Sequence, residues 1–299
     1  MLSVQVTADR RLTAREVPEP VPAPDEAVVE VAASSVNRGE LALIAMRGEG
    51  WRPGQDVAGV VAAAAQDGSG PARGTRVVGL AEQGAWSERV AVRASRLAEV
   101  PENVTLETAA ALPMAGLTAL RTVRDLGSTL GAKVLVTGPR GGVGSLQVQL
   151  ARLGGADVTG LVRAPHSDAS ESGFVSRLDD GAAFDAALDA IGGDTLRAVV
   201  GALRPGGHVV WFGSSSAERT ALSIYDFVGH EGVSISTYFS YAQDPLQDAD
   251  DLGILLRLVE QGTLRLDTDS RWPLTDAQAA TERMSAGGVR GKVLLTADA

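Results

Sequence analysis

The sequence predicts an α/β chain in two parts, a small β-barrel followed by a doubly wound parallel sheet. Three observations point there. The first hundred residues are short β-rich stretches cut by Gly, Pro and Asp, without crossover helices between them. From Lys133 onward, strand patterns alternate with helix patterns, as in a parallel sheet with crossovers. One of those strands also runs directly into a glycine-rich turn that opens a helix.

Taken in order, residues 27–33 (AVVEVAA), 57–64, 76–80 and 86–92 read as strands of the first part. Pro18, Pro20, Pro22 and Pro24 alternate, which favours an extended connector. Residues 106–126 are rich in Ala and Leu at helical spacing, with Gly116 and Gly127 as interruptions or stops. Strands follow at 133–137, 157–162, 184–190, 208–212 and 233–239, with helices at 143–153, 194–203 and 248–261. Gly154-Gly155, the Arg204-Pro205-Gly206-Gly207 run and Gly262 supply helix stops. The tail from Thr263 mixes a short helix at 275–285 with a strand at 291–295.

Composition narrows the function. At 299 residues the chain suits two domains better than one. Its 27 Lys and Arg against 37 Asp and Glu give a formal charge of −10, which argues against a nucleic-acid partner. There are no cysteines, so disulfides, thiolate catalysis and Cys-containing zinc sites are excluded. His166, His208 and His230 are scattered and read as structural or exposed residues. The start of the chain has no apolar signal-like stretch, and the longest apolar run (57–65) is far short of a span of about 20 residues. The expectation is a soluble cytoplasmic protein with a small-molecule substrate and no membrane partner.

The strongest signal is residues 133–155, KVLVTGPRGGVGSLQVQLARLGG. A buried strand leads to Gly138, Gly141, Gly142, Val143 and Gly144, and then to a helix with Leu146, Leu150 and Leu153 on one face. Glycine lets backbone approach a diphosphate, and the helix start offers free N–H groups and a positive dipole end. The following strand ends near Arg163, 19 residues beyond Gly144. A carboxylate at that place serves a free ribose 2′-hydroxyl, whereas an Arg accommodates a 2′-phosphate. This favours NADPH. Asp157 lies at the wrong end of the strand, and Asp168 comes five residues after Arg163.

Further stretches fall in a familiar order: Ser35-Val-Asn37-Arg-Gly, Arg52-Pro-Gly-Gln-Asp-Val-Ala-Gly59, Arg76-Val-Val-Gly-Leu, Gly84-Ala-Trp-Ser-Glu-Arg-Val, Gly-Leu-Thr118-Ala, Leu203-Arg-Pro-Gly-Gly207 and Gly291-Lys-Val. Together with the glycine loop they resemble the medium-chain dehydrogenase/reductase superfamily, in its zinc-free quinone oxidoreductase-like branch of enone reductases. The resemblance implies a GroES-like barrel catalytic domain (1–105), a Rossmann NADPH-binding domain (106–242) and a return to the catalytic domain (243–299). It also implies a cofactor in the cleft between the domains and a homodimer joined through the strand edge at 233–239. Where zinc-dependent relatives read Gly-His-Glu, this chain has Gly54-Gln55-Asp56. The segment between Arg163 and Phe184 is shorter than the family's.

Without a Lewis acid, conjugate reduction is the accessible chemistry, because enolate charge needs only a few aimed donors. The resemblance assigns Asn37 and Thr118 to the nicotinamide side, though Asn37 equally suits a turn cap and Thr118 an ordinary helix position. Trp51 would rim the substrate site or cover the barrel. The tyrosine expected nearby is absent, so Tyr238 and Tyr241 stand in as acid and substrate contact, with water as the alternative proton source. Gly213 and Ser214, at a strand end, read as passing near the nicotinamide or as a plain Gly/Ser turn, and Lys292 as reaching a cofactor phosphate or as a solvated surface lysine. Four functions stay open: an NADPH-dependent enone or quinone reductase, a reductive cyclase using the same hydride step, a non-catalytic NADPH-binding protein, and a zinc-free alcohol or sugar dehydrogenase with a tyrosine acid. The lack of a Tyr-x-x-x-Lys pair counts against the last.

Overall fold

The computed structural model describes residues 1–163, 173–179 and 181–297. Two compact units emerge, one formed by Met1–Leu117 with Asp244–Ala299 and the other by Thr118–Gln243.

In the first unit a hairpin of β1 (Leu2–Val6) and β2 (Leu12–Glu16) opens the chain. The long strand β3 (Glu26–Val36) follows, then helix α1 (Arg38–Met46), β4 (Asp56–Ala63), β5 (Arg76–Leu80), β6 (Arg89–Arg93) and β7 (Leu97–Glu99). Helix α2 (Leu106–Ala110) leads into α3 (Pro113–Asp125). The sequence pattern reads 106–126 as one helix with Gly116 as its weak point. The break falls at Pro113 instead, because proline has no N–H to continue a helix but suits a first turn. Gly116 stays helical and gives room: a Cβ there would fall 2.8 Å from Leu255 Cδ1.

The second unit runs β8 (Lys133–Thr137), α4 (Gly142–Leu153), β9 (Asp157–Leu161), β10 (Phe174–Val175), β11 (Phe184–Asp189), α5 (Gly193–Val200), β12 (Leu203–Trp211) and β13 (Ser234–Thr237). Among the described residues these strands form one parallel sheet in the order β10-β9-β8-β11-β12-β13. Its two faces follow the two-residue period of a strand. Val134, Val136, Leu188 and Val210 turn to one face with Val148 and Ala151 of α4. Leu135, Ala187 and Val209 turn to the other, with Leu196 and Val199 of α5. The strands are therefore apolar on both faces, as a sheet covered by helices on both sides requires.

The tail returns to the first unit through α6 (Asp248–Glu260), β14 (Thr268–Pro273), α7 (Ala277–Ser285) and β15 (Lys292–Thr296). β15 pairs antiparallel with β3 and parallel with β14, extending the sheet to β14-β15-β3-β4-β5-β7 with β6 on β3. Residues 106–117, which the sequence pattern groups with the second domain, belong to the first unit. Ala109, Ala110 and Leu112 are fully buried there, and Gly116 touches Leu255 of α6.

Gly291 fixes how β15 enters this sheet. Its φ is +72°, and a Cβ would fall 1.9 Å from Asp267 O, beside the 2.9 Å bond that Lys292 N–H donates to the same carbonyl. Gly291→Ala should cost more than the roughly 1–3 kcal/mol of simple backbone strain, read as a lower denaturation midpoint. An unchanged midpoint would contradict this account of β15.

Candidate functional site

In the second unit the chain leaves β8 toward β9 on one side, while β11 lies on the other side. The crevice in which open parallel sheets hold ligands therefore opens at the C-terminal ends of β8 and β11. After Thr137 the chain turns at Gly138, whose φ of +63° favours glycine. Gly141 N–H donates to Gly138 O at 3.0 Å and closes the turn. Gly144 is where the helix meets the loop. A Cβ there would fall 2.2 Å from Gly138 O, so a side chain at this position would push α4 away.

The outer side of the loop is different. A Cβ on Gly138 would meet nothing within 4 Å, and one on Gly141 only the Gly138 carbonyl at 3.4 Å. The N-cap of α4 is Gly141, so no side chain closes the first turn. The amides of Gly142, Val143 and Gly144 and the positive end of the dipole therefore face outward, an arrangement that fits a diphosphate. Helix α5 starts at the same edge of the sheet but is closed by its own surroundings. Gly193 N–H donates to Thr220 Oγ1 at 2.8 Å, and a Cβ on Gly193 would fall 2.9 Å from Glu218 Oε2.

Two residues missing from the sequence reading flank this crevice. Asp189, the last residue of β11, accepts from Thr137 Oγ1 and from Gly192 N–H, each at 2.8 Å. The Thr137 hydroxyl in turn accepts from Ala190 N–H at 2.9 Å. Burial raises the Asp189 carboxyl above its ordinary range, while these donors pull it back. The pair ties the ends of β8 and β11 together and fixes the 190–193 turn. A carboxylate closing the apolar run Ala186-Ala187-Leu188 shortly before Gly192-Gly193 was the available signal. Gly213 lies against the same turn, since its Cβ would fall 2.8 Å from Ala190 O, and exposed Ser214 stands beside Gly192.

The other assignments in this unit divide. Arg163 is exposed just past β9, whereas His166 and Asp168 lie outside the described residues. Thr118 is buried in α3, and its carbonyl accepts from Thr122 Oγ1 at 2.7 Å. Tyr238, expected as the acid, is 8% exposed and packs with Val136, Leu188 and Val210. Tyr241 is 85% exposed, its ring 5.4 Å from that of Phe239. His208 and His230 bind Ser234 Oγ and Leu203 O.

In the first unit, Asp56 at the start of β4 gathers a buried polar cluster. Its Oδ2 accepts from Ser35 Oγ, from Asn37 Nδ2 at 2.9 Å and from Lys292 Nζ at 3.3 Å. Its Oδ1 accepts from Met114 N–H at 2.8 Å. Lys292 Nζ also donates to Asn37 Oδ1 at 2.5 Å. Lys292, expected at a cofactor phosphate, is an internal cation here, 4% exposed and paired within its own unit. Asn37 keeps at most one amide hydrogen for any other acceptor. Beside it, Glu40 receives Asn37 N–H at 2.7 Å and Gln55 N–H at 2.8 Å. Trp51 lies half-buried against the apolar cluster around Val4 and Val6, and its Nε1 donates to Gln83 Oε1 at 2.7 Å.

An ammonium, an amide, a hydroxyl and a backbone N–H around one carboxylate do not make a zinc site, since zinc takes Cys, His and carboxylate ligands. Among the described residues, no group of three or more His, Asp or Glu side chains stands close enough to hold a metal ion. No helix among them is long and apolar enough to cross a membrane.

Comparison with known proteins gives two family matches. Residues 23–102 match the alcohol dehydrogenase GroES-like domain, and residues 163–295 match the zinc-binding dehydrogenase family. The chain is 33% identical over 291 residues to the spectinabilin polyketide synthase system protein NorB of Streptomyces orinoci, covering 92% of this chain and 13% of that protein. It spans between 8% and 13% of the length of the polyketide synthase components of this kind. It is 27% identical to a quinone oxidoreductase of Pseudomonas aeruginosa, covering 71% of each chain. Among solved structures, the Escherichia coli quinone oxidoreductase complexed with NADPH superposes with a TM-score of 0.89 at 22% identity, over 99% of this chain and 100% of the other.

The Glu40 carboxyl is fully buried, and burial together with the nearby Asp56 charge pushes its pKa up to about 8 from an ordinary 4.5. The folded chain thus keeps a proton across this window that the unfolded chain has released. Unfolding free energy should fall as pH rises from about 5 to about 8, on the order of a kcal/mol per pH unit. Glu40→Gln should lose roughly 1–3 kcal/mol through one unaccepted N–H, yet show a flatter pH dependence in urea titrations. A slope identical to that of the unaltered protein would contradict a buried, protonated Glu40.

Proposed function

Because the chain belongs to the medium-chain dehydrogenase/reductase superfamily, in its quinone oxidoreductase-like group, we propose that it is an NADPH-dependent reductase of α,β-unsaturated carbonyls or quinones that works without a metal. The observation that carries this reading is the bare start of α4 over an open glycine loop, beside an α5 start that its own loop has closed. One anion site is thereby offered at the crevice of the parallel sheet, where a dinucleotide would be held.

NADPH, when bound, supplies the hydride; the protein supplies position and charge. The amides of Gly142, Val143 and Gly144 would hold the diphosphate. Thr137 and Asp189 keep the ends of β8 and β11 in fixed register, and Gly213 and Ser214 shape the turn beside them. Asn37, through its remaining amide hydrogen, and the Thr118 hydroxyl are the proposed donors to enolate oxygen. One such donor is worth on the order of 3 kcal/mol in favourable cases. With Tyr238 packed in the core, the proton for the α-carbon would come from water. The donor chemistry around Asp56 supports the metal-free part of the reading, because Lys292 already places a cation there.

A homodimer through the free edge of β13 is part of the same proposal. Among the described residues β13 pairs with β12 alone, and Phe239 and Tyr241, just beyond it, are exposed. Sedimentation should give about twice the 30.8 kDa of one chain, and a monomer would overturn it.

NADPH oxidation measured against a panel from simple quinones to polycyclic enones, with NADH alongside, tests the activity. Similarity to polyketide synthase components supports including natural-product enones. Turnover should favour NADPH and survive chelation of metal ions. NADPH binding with no oxidation by any member, or activity that chelation abolishes and zinc restores, would contradict the reading.

A further inference from the structure

The loop between β8 and α4 carries a single charged side chain, Arg140. This loop leans over the C-terminal end of β9. Gly138 N–H donates to Leu161 O at 3.2 Å, and Pro139 lies so close that a Cβ on Gly160 would fall 2.8 Å from its Cγ. The same Cβ would fall 2.6 Å from Cδ1 of Phe174, the β10 residue in register with Gly160. Pro139 and the Phe174 ring therefore form an apolar shelf across Gly160. The Arg140 guanidinium lies over that ring, 5.9 Å from its centroid, within cation–π reach.

The position matters because the end of this strand is where a doubly wound fold reads the adenosine ribose. A carboxylate there binds free hydroxyls and repels a phosphate, but the strand end offers Gly160, Leu161 and Val162, none of them acidic. A guanidinium is planar and presents paired donors suited to phosphate oxygens. Resting on an aromatic ring limits its motion, so less entropy is lost when it binds.

We infer that Arg140, seated on Phe174, binds the 2′-phosphate of the nucleotide, a role that motif spacing assigns to Arg163 alone. The inference rests on the nicotinamide-nucleotide reading above. Arg163 is exposed beyond the strand, where a solvated charge contributes little by itself. Phe174 acts through Arg140 and is a positioning residue.

Calorimetric titration of the full chain and its variants with NADPH, NADH and adenosine 2′,5′-bisphosphate tests this. Arg140→Gln should weaken NADPH and the bisphosphate about tenfold or more, as expected for losing a charge-assisted contact, and leave NADH within about twofold. Arg140→Lys should recover part of the loss, Phe174→Leu should show a smaller selective loss, and Arg163→Gln should change less than Arg140→Gln. The inference is overturned if Arg140→Gln leaves NADPH affinity unchanged, if it weakens NADPH and NADH equally, or if the selective loss appears only in Arg163→Gln. If the unaltered protein binds neither NADPH nor NADH, the nucleotide reading fails and takes this inference with it. If it binds NADPH and Arg140→Gln binds it equally tightly, only the inference fails.

Discussion

The contact between α4 and the loop that precedes it governs the second unit. Gly144 lies against the Gly138 carbonyl with no room for a methyl group, so the helix starts almost on top of the strand end. That proximity leaves its first-turn amides unshared by any cap. Unsatisfied helix N–H groups are unfavourable unless water or a ligand accepts from them. The loop therefore leaves first-turn donors with no side-chain cap, an arrangement that fits an anion. At α5 the chain takes the opposite course and covers the helix start with Thr220 and Glu218. Two helix starts on one sheet edge thus differ, one covered by its own loop and one left open.

The Asp56 cluster shows a comparable division of labour in the first unit. Asp56 and Lys292 are nearly out of contact with water, and such a pair survives only when hydrogen bonds satisfy the remaining lone pairs and protons. Ser35, Asn37 and Met114 supply those bonds. The result joins β3, β4, the start of α1, the start of α3 and β15 through one carboxylate. That explains why the tail returns to this unit, since its lysine completes a site whose other members lie within the first 114 residues. It also limits Asn37, whose amide is largely committed to neighbours.

Much of this was legible in the sequence. The alternation after Lys133, the glycine loop and the five main parallel strands all follow from apolar periodicity and turn residues, because buried strands and helix starts leave local marks. Other features leave weaker ones. The hairpin β1–β2 pairs locally but packs on Trp86, Leu274 and Met284, and the short β7 and β14 pair with β5 and β15, partners that no short window contains. Tyr238 reads as a polar residue at a strand end, yet burial is decided by what packs over it. Lys292 looks like a surface cation until Asp56 and Asn37, more than 200 residues earlier, are brought beside it. Residues 106–117 carry helical texture like the domain that follows, and only their packing on α6 and the first sheet assigns them to the other unit.

The account depends most on anion binding at the amides of Gly142, Val143 and Gly144. Backbone amide resonances of isotopically labelled protein, followed during an NADPH titration, test it directly. The account predicts that these three amides show large, saturable downfield shifts, while the Gly193 amide, already bonded to Thr220, moves little. Saturable binding that leaves these three resonances in place and shifts amides elsewhere would contradict it.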